Sequence, residues 1–202
     1  MRNAVSLFVV FACLFALSGC ASLKNEKPLE PIESFQVCYS YGCARVQTVT
    51  LNKEQWLMIQ QAFSPAAINA KTERQQIAAA IAQMEQFVGI KTNTTTDLPG
   101  TFAALFHDLG DQMDCVDEAT NTTVYLKQFR QRGFINFHKE GRRINRGFFF
   151  NGWPHTSAMM KDTHTGEAFA VDSWFHKNGV QPEIIPAKLW YSGWDPKPKN
   201  TD

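Results

Sequence analysis

Between Gly110 and Gly133 the chain marks both ends of one helix, and the residue at that helix's first position constrains the rest of the fold. Asp114 has the short acidic side chain that caps a helix start, and Asp117 and Glu118 then fall in the first turn, where carboxylates complement the dipole. Val116, Ala119, Thr123 and Leu126 recur at steps of three, four and three, and Gly133 supplies the stop. Cys115 is thereby placed at the first helical position. A thiol there becomes a better nucleophile, because the helix N-terminus favours thiolate and the free N–H groups of the first turn can receive an oxyanion. Three carboxylates beside the sulfur work the other way unless they point outward, so the arrangement calls for an imidazolium nearby.

The cysteines sort by position. The chain opens Met1-Arg2-Asn3, continues as an apolar run from Ala4 to Leu17, and reaches Ser18-Gly19-Cys20. A basic start, a short apolar stretch and a small-residue cleavage site describe a secretory signal, and the run is short of the ~20 residues of a bilayer span. Leu17-Ser18-Gly19-Cys20 resembles the bacterial lipobox, which implies a signal peptide over 1–19, diacylglycerol and palmitate-type acyl chains on Cys20, and a lipid bilayer as partner. Ala21 and Ser22 follow with no aspartate, so the expected address is the outer membrane, facing the periplasm. Residues 20–34, with Pro28 and Pro31, read as a tether, and 35–202 as a single domain. In an oxidising compartment Cys38 and Cys43, flanking Tyr-Ser-Tyr-Gly, are expected to form a disulfide, which leaves Cys115 unpaired.

Loss of Arg2 with the signal leaves nineteen basic against nineteen acidic residues, and that balance gives no electrostatic case for nucleic acid. Sixteen phenylalanines and five tryptophans are ample for one core. Phe35 to Leu51 reads as a hairpin around the cysteine turn, and Asn52 caps a short helix to about Phe63, with Trp56, Ile59 and Phe63 on one face. A longer helix is expected over Lys71–Val88 from the stripe Ile77, Ile81, Met84 and Val88, ending at Gly89. A Thr- and Asn-rich loop runs from Lys91 to Thr101. A short helix, the Cys115 helix, several strands and an aromatic tail through Trp190 and Trp194 complete the chain.

Two of those strands fix a geometry. Trp153 to Met160 is strand-like, Thr163-His164-Thr165-Gly166 is a turn, and Ala168 to Phe175 is a second strand. A four-residue turn sets Asp162 opposite Glu167, which carries Ser157 opposite Asp172 and His155 opposite Trp174. Side chains on one face step by two, so His155 and Asp172 become diagonal neighbours within reach of each other. Asn178 is the other candidate to orient the imidazole.

A cysteine opening a helix, followed by histidine and aspartate on successive strands, resembles the transglutaminase-like superfamily and, more generally, papain-like cysteine peptidases. The similarity covers about 108–179. It implies an α+β fold with helices packed on an antiparallel sheet. It also implies Cys115 as nucleophile, His155 as base and then acid, Asp172 as orienter of the imidazole, and an upstream polar oxyanion donor, for which Gln112 is the nearest candidate. The activity so implied is that of a thiol hydrolase or acyl transferase acting on amide bonds without a cofactor, with peptide, protein or peptidoglycan suggested by the envelope address. The contrasting expectation is a non-catalytic envelope lipoprotein that binds a partner or braces an assembly, with Cys115 as a buried structural thiol. Metal chemistry has little support, since there is no HExxH helix, no second cysteine pair and no alternating calcium-loop acids; GxxxxGK[ST] and GxGxxG are also missing.

Overall fold

A computed structural model describes residues 33–102, 110–147 and 154–196. The expected signal peptide, Cys20 and nearly all of the tether lie outside these residues, as does the short helix expected after Thr101. The chain forms an α+β arrangement in which helices pack against antiparallel sheet.

The first hairpin pairs β1 (Ser34–Tyr39) with β2 (Arg45–Thr50) around the cysteine turn, and Cys38 and Cys43 are disulfide-bonded. Helix α1 (Lys53–Gln61) starts at Asn52 through a reciprocal capping box with Gln55. Helix α2 (Ala70–Thr92) runs past the expected stop at Gly89 and ends at Asn93 in the left-handed conformation. Gly89 serves packing instead: a Cβ there would lie 2.8 Å from the Asn178 side chain, so glycine lets the 173–180 segment approach the helix. Helix α3 (Cys115–Gln131) begins and ends as its caps dictate, with Gly133 left-handed beyond it.

The larger sheet is antiparallel throughout. Strands β3 (His138–Glu140) and β4 (Ile144–Arg146) both lie along one edge of β5 (His155–Asp162), which pairs on its other edge with β6 (Ala168–Asp172), followed by β7 (Glu183–Pro186). Helix α4 (Ala187–Tyr191) follows. The β5–β6 register is the one an even turn demands, with Ala158 opposite Val171, Lys161 opposite Ala168, and Asp162 N–H donating to Glu167 O at 2.9 Å. Strand β6 stops at Asp172, three residues short of expectation, because the chain turns there with His176 N–H bonded to Ser173 O.

Alternation along β5 and β6 divides the core in two. Ala158, Met160, Phe169 and Val171 join the main core with α1, α2, α3 and the first hairpin, whereas Met159 and Ala170 pack with Ala187 and Trp190. On α3 the deeply buried positions are Ala119, Tyr125, Leu126 and Phe129, while Val116 and Thr123 sit at the margin. The apolar spacing read from the sequence is therefore displaced, because Glu118, Asn121, Thr122 and Gln128 are buried although polar.

Asn121 shows why such a residue is tolerated. Its amide accepts from Cys38 N–H at 2.7 Å and donates to Cys38 O at 2.8 Å, so one side chain on α3 satisfies both backbone groups of a strand residue buried against it. Asn121→Ala should therefore cost about 2–4 kcal/mol, because two buried polar groups lose their partner. Urea unfolding of the variant beside Thr123→Ala measures this, and equal losses would contradict the assignment.

Candidate active site

Residues from three elements meet at one end of the larger sheet. His155 is the first residue of β5, and Asp172 is the last of β6. His155 Nε2 and Asp172 Oδ2 are 2.7 Å apart, and both side chains are almost wholly buried. The diagonal contact derived from the turn is thus formed. Cys115, a free and half-buried thiol at the first position of α3, stands close enough to act on the ionisation of the imidazole. The other ring nitrogen, His155 Nδ1, is buried and closes no hydrogen bond, so it is the atom left to exchange a proton.

The imidazole's charge is set by opposed effects. Burial disfavours the cation, but the hydrogen bond to Asp172, the proximity of Cys115 and the Asp172 charge outweigh it and raise the pKa from 6.5 to about 9. The group is therefore an imidazolium at neutral pH. Its contribution to stability is complete below about pH 6.5 and is lost as pH rises through about 9. Rings of Trp174, Phe175 and Trp190 surround it, with centroids at 4.6, 5.3 and 5.5 Å. They keep water from the ion pair.

Trp190 does more than shield. Its Nε1–H donates to Asp172 Oδ2 at 2.7 Å, the same oxygen that meets His155. The indole is fully buried on α4 and fixes the carboxylate that orients the imidazole. Arg146 fastens this corner by donating to Trp190 O, Trp194 O and Asp195 Oδ1 while its guanidinium lies 4.7 Å from the Trp190 ring centroid. The tail tryptophans were legible only as aromatic material; nothing near them in sequence points to Asp172.

Two of the acids beside Cys115, Asp114 and Asp117, are engaged by the disulfide turn. Ser40, Tyr41, Gly42 and Cys43 all have φ between 60° and 68°, a left-handed turn closed by the disulfide. Its N–H groups point at carboxylates of α3: Tyr41 and Cys43 donate to Asp117, and Gly42 donates to Asp114 Oδ2. Asp114 Oδ1 also caps Val116 and Asp117, and Glu118 N–H bonds to Asp114 O. The Cys115 N–H is the one amide of this turn without a partner among the described residues. The Oε1 of Gln112 accepts from Leu98 N–H and one hydrogen of its Nε2 goes to Thr96 O, so the amide is held by the 94–98 loop. Asn178 donates to Glu85 O and takes no part in orienting His155.

No match to this chain is found among protein-family models, curated proteins or solved structures. Its chemistry is read from the site itself.

Beneath the site lies a set of buried carboxyl groups that no motif announces. Burial, with Glu85, Asp97, Asp117 and Asp172 nearby, pushes Glu118 well up, and burial likewise raises Glu85 and Asp97 each to about 7. Glu85 accepts from Ser173 Oγ and Gly179 N–H, and Asp97 accepts from Met113 N–H, so both brace backbone that leads directly to Asp172 or Cys115. A folded-state pKa above the unfolded one means that the fold holds extra protons, so stability falls as pH rises from about 4 through about 7. Glu118→Gln keeps the donor and removes the ionisation. It should flatten this slope by up to ~1.4 kcal/mol per pH unit, which denaturation at about pH 5 and pH 8 will show. An unchanged slope would contradict it.

Proposed function

We propose that the chain is an envelope-anchored thiol enzyme of the transglutaminase-like kind, a hydrolase or acyl transferase acting on amide bonds through Cys115, His155 and Asp172. The observation that carries the reading is the buried 2.7 Å His155–Asp172 contact, with the unpartnered Nδ1 beside a thiol at a helix N-terminus. In this reading the Cys115 sulfur attacks the carbonyl carbon, and the oxygen takes the negative charge towards the free Cys115 N–H. The His155 imidazolium gives its Nδ1 proton to the departing amine as the C–N bond breaks. Water or a second amine, deprotonated by the now neutral imidazole, then attacks the thioester and returns the thiolate. The lipobox-like ending at Cys20 supports attachment to a bilayer and an envelope substrate, peptide or peptidoglycan.

Two measurements test it. Iodoacetamide should label Cys115 in the folded, signal-free protein at about pH 6, and His155→Ala should slow that labelling by tenfold or more, on the order expected when an ion-pair partner is removed. Labelling only after unfolding would favour the non-catalytic module. Trp190→Phe keeps a ring over His155 but deletes the donor to Asp172. It should slow labelling by roughly tenfold, the size of one hydrogen bond to a charged group, and lower the alkaline limb of the pH profile towards neutrality. A rate loss with an unmoved profile would make Trp190 a packing residue only.

A further inference from the structure

Along α3 lies an open groove of ≈ 470 Å³. Its lining includes Val116 and Thr123 from α3, Asn145 and Thr156 from β4 and β5, and Arg142 and Arg143 from the connection between β3 and β4. Two of these residues adjoin the reacting set in sequence, Val116 beside Cys115 and Thr156 beside His155. Arg143 Nη1 also lies 3.5 Å from Val116 O, which brings the groove to the start of the Cys115 helix.

Its charge is one-sided. Arg142 and Arg143 are exposed, no acid lines the groove, and neither arginine is in an ion pair among the described residues. Arg143 is steadied by neutral groups, Thr120 Oγ1 and Val116 O, which hold its guanidinium without neutralising it. The nearest acid in sequence, Glu140, is taken by Arg130 in a two-pronged pair at 2.6 and 2.8 Å. Asp114 and Asp117 at the α3 start are meanwhile bound to the left-handed turn.

Resting on the thiol-enzyme reading above, we propose that this groove binds a carboxylate of the peptide-like substrate, next to the amide bond that Cys115 attacks. A guanidinium matches a carboxylate in a planar two-bond fork, and Thr123, Asn145 and Thr156 offer neutral hydrogen bonds to the adjoining chain. The carboxylate is either an acidic side chain or the free end of the peptide.

The test uses the folded, signal-free protein and two alkylating agents of similar size, anionic iodoacetate and neutral iodoacetamide. Substituting Arg142→Gln and Arg143→Gln together should lower the iodoacetate-to-iodoacetamide rate ratio at Cys115 by roughly fivefold, the effect of removing two unit charges at the edge of the site. The iodoacetamide rate is the internal reference, since a change in the thiolate itself moves both rates alike, and the ratio should stay unchanged in Lys188→Gln, a control away from the groove. An unaltered ratio overturns the proposal. Loss of the His155 dependence of the iodoacetamide rate overturns the thiol-enzyme reading instead, so the two failures are separable. Arg142→Gln alone, which disturbs no hydrogen bond of the described residues, should show part of the drop.

Competition then identifies the source. Acetyl-tetraalanine with a free carboxyl end, or the acetyl-Ala-Glu-Ala-Ala amide, should slow iodoacetate labelling of the native protein and not of the double variant. The first succeeding alone indicates a chain end, and the second a side chain. Competition by neither, or stronger competition by inorganic phosphate than by both, overturns the carboxylate assignment.

Discussion

The hydrogen bonds from the left-handed turn at Ser40–Cys43 to Asp114 and Asp117 are what the site rests on. Three of the four residues in that turn carry a Cβ, and a left-handed conformation costs such residues roughly 1–2 kcal/mol each. The turn persists because the disulfide restrains its ends and two carboxylates accept its N–H groups. These three hydrogen bonds therefore stabilise an unfavourable backbone and engage the same two carboxylates that close the capping box of α3.

The remainder of the site follows a similar economy. His155 is charged in a buried place because Asp172 and Cys115 oppose the loss of water, and Asp172 is held for that task by an indole from another element. Aromatic rings raise the strength of these interactions by excluding solvent. Among the described residues the carboxyl groups under α3 have no such counter-ion, and they respond by retaining protons.

What could be read from the chain was what depends on neighbours in sequence. Asp114 with Asp117 announces a cap, and four residues between Asp162 and Glu167 set a register, which brings His155 to Asp172. The cysteine pair was legible because five positions separate it. The contacts that escaped join residues far apart: Arg146 with Trp194, Asn121 with Cys38, Glu85 with Ser173. Glu118 reads as an ordinary first-turn acid, since position on a helix says nothing of what covers it. Gln112 has the right chemistry for an oxyanion, and no motif announces that two backbone groups of the 94–98 loop hold its amide.

The place of Trp190 in the chain also orders assembly. During synthesis from the N-terminus, the thiol emerges first, the imidazole forty residues later, and the indole that steadies Asp172 later still. Until α4 docks, Asp172 lacks one of its two buried donors and His155 lacks one of its three ring walls. A nascent chain therefore carries the Cys115 thiol well before the His155–Asp172 pair has its full set of donors and ring walls, which only the last helix completes.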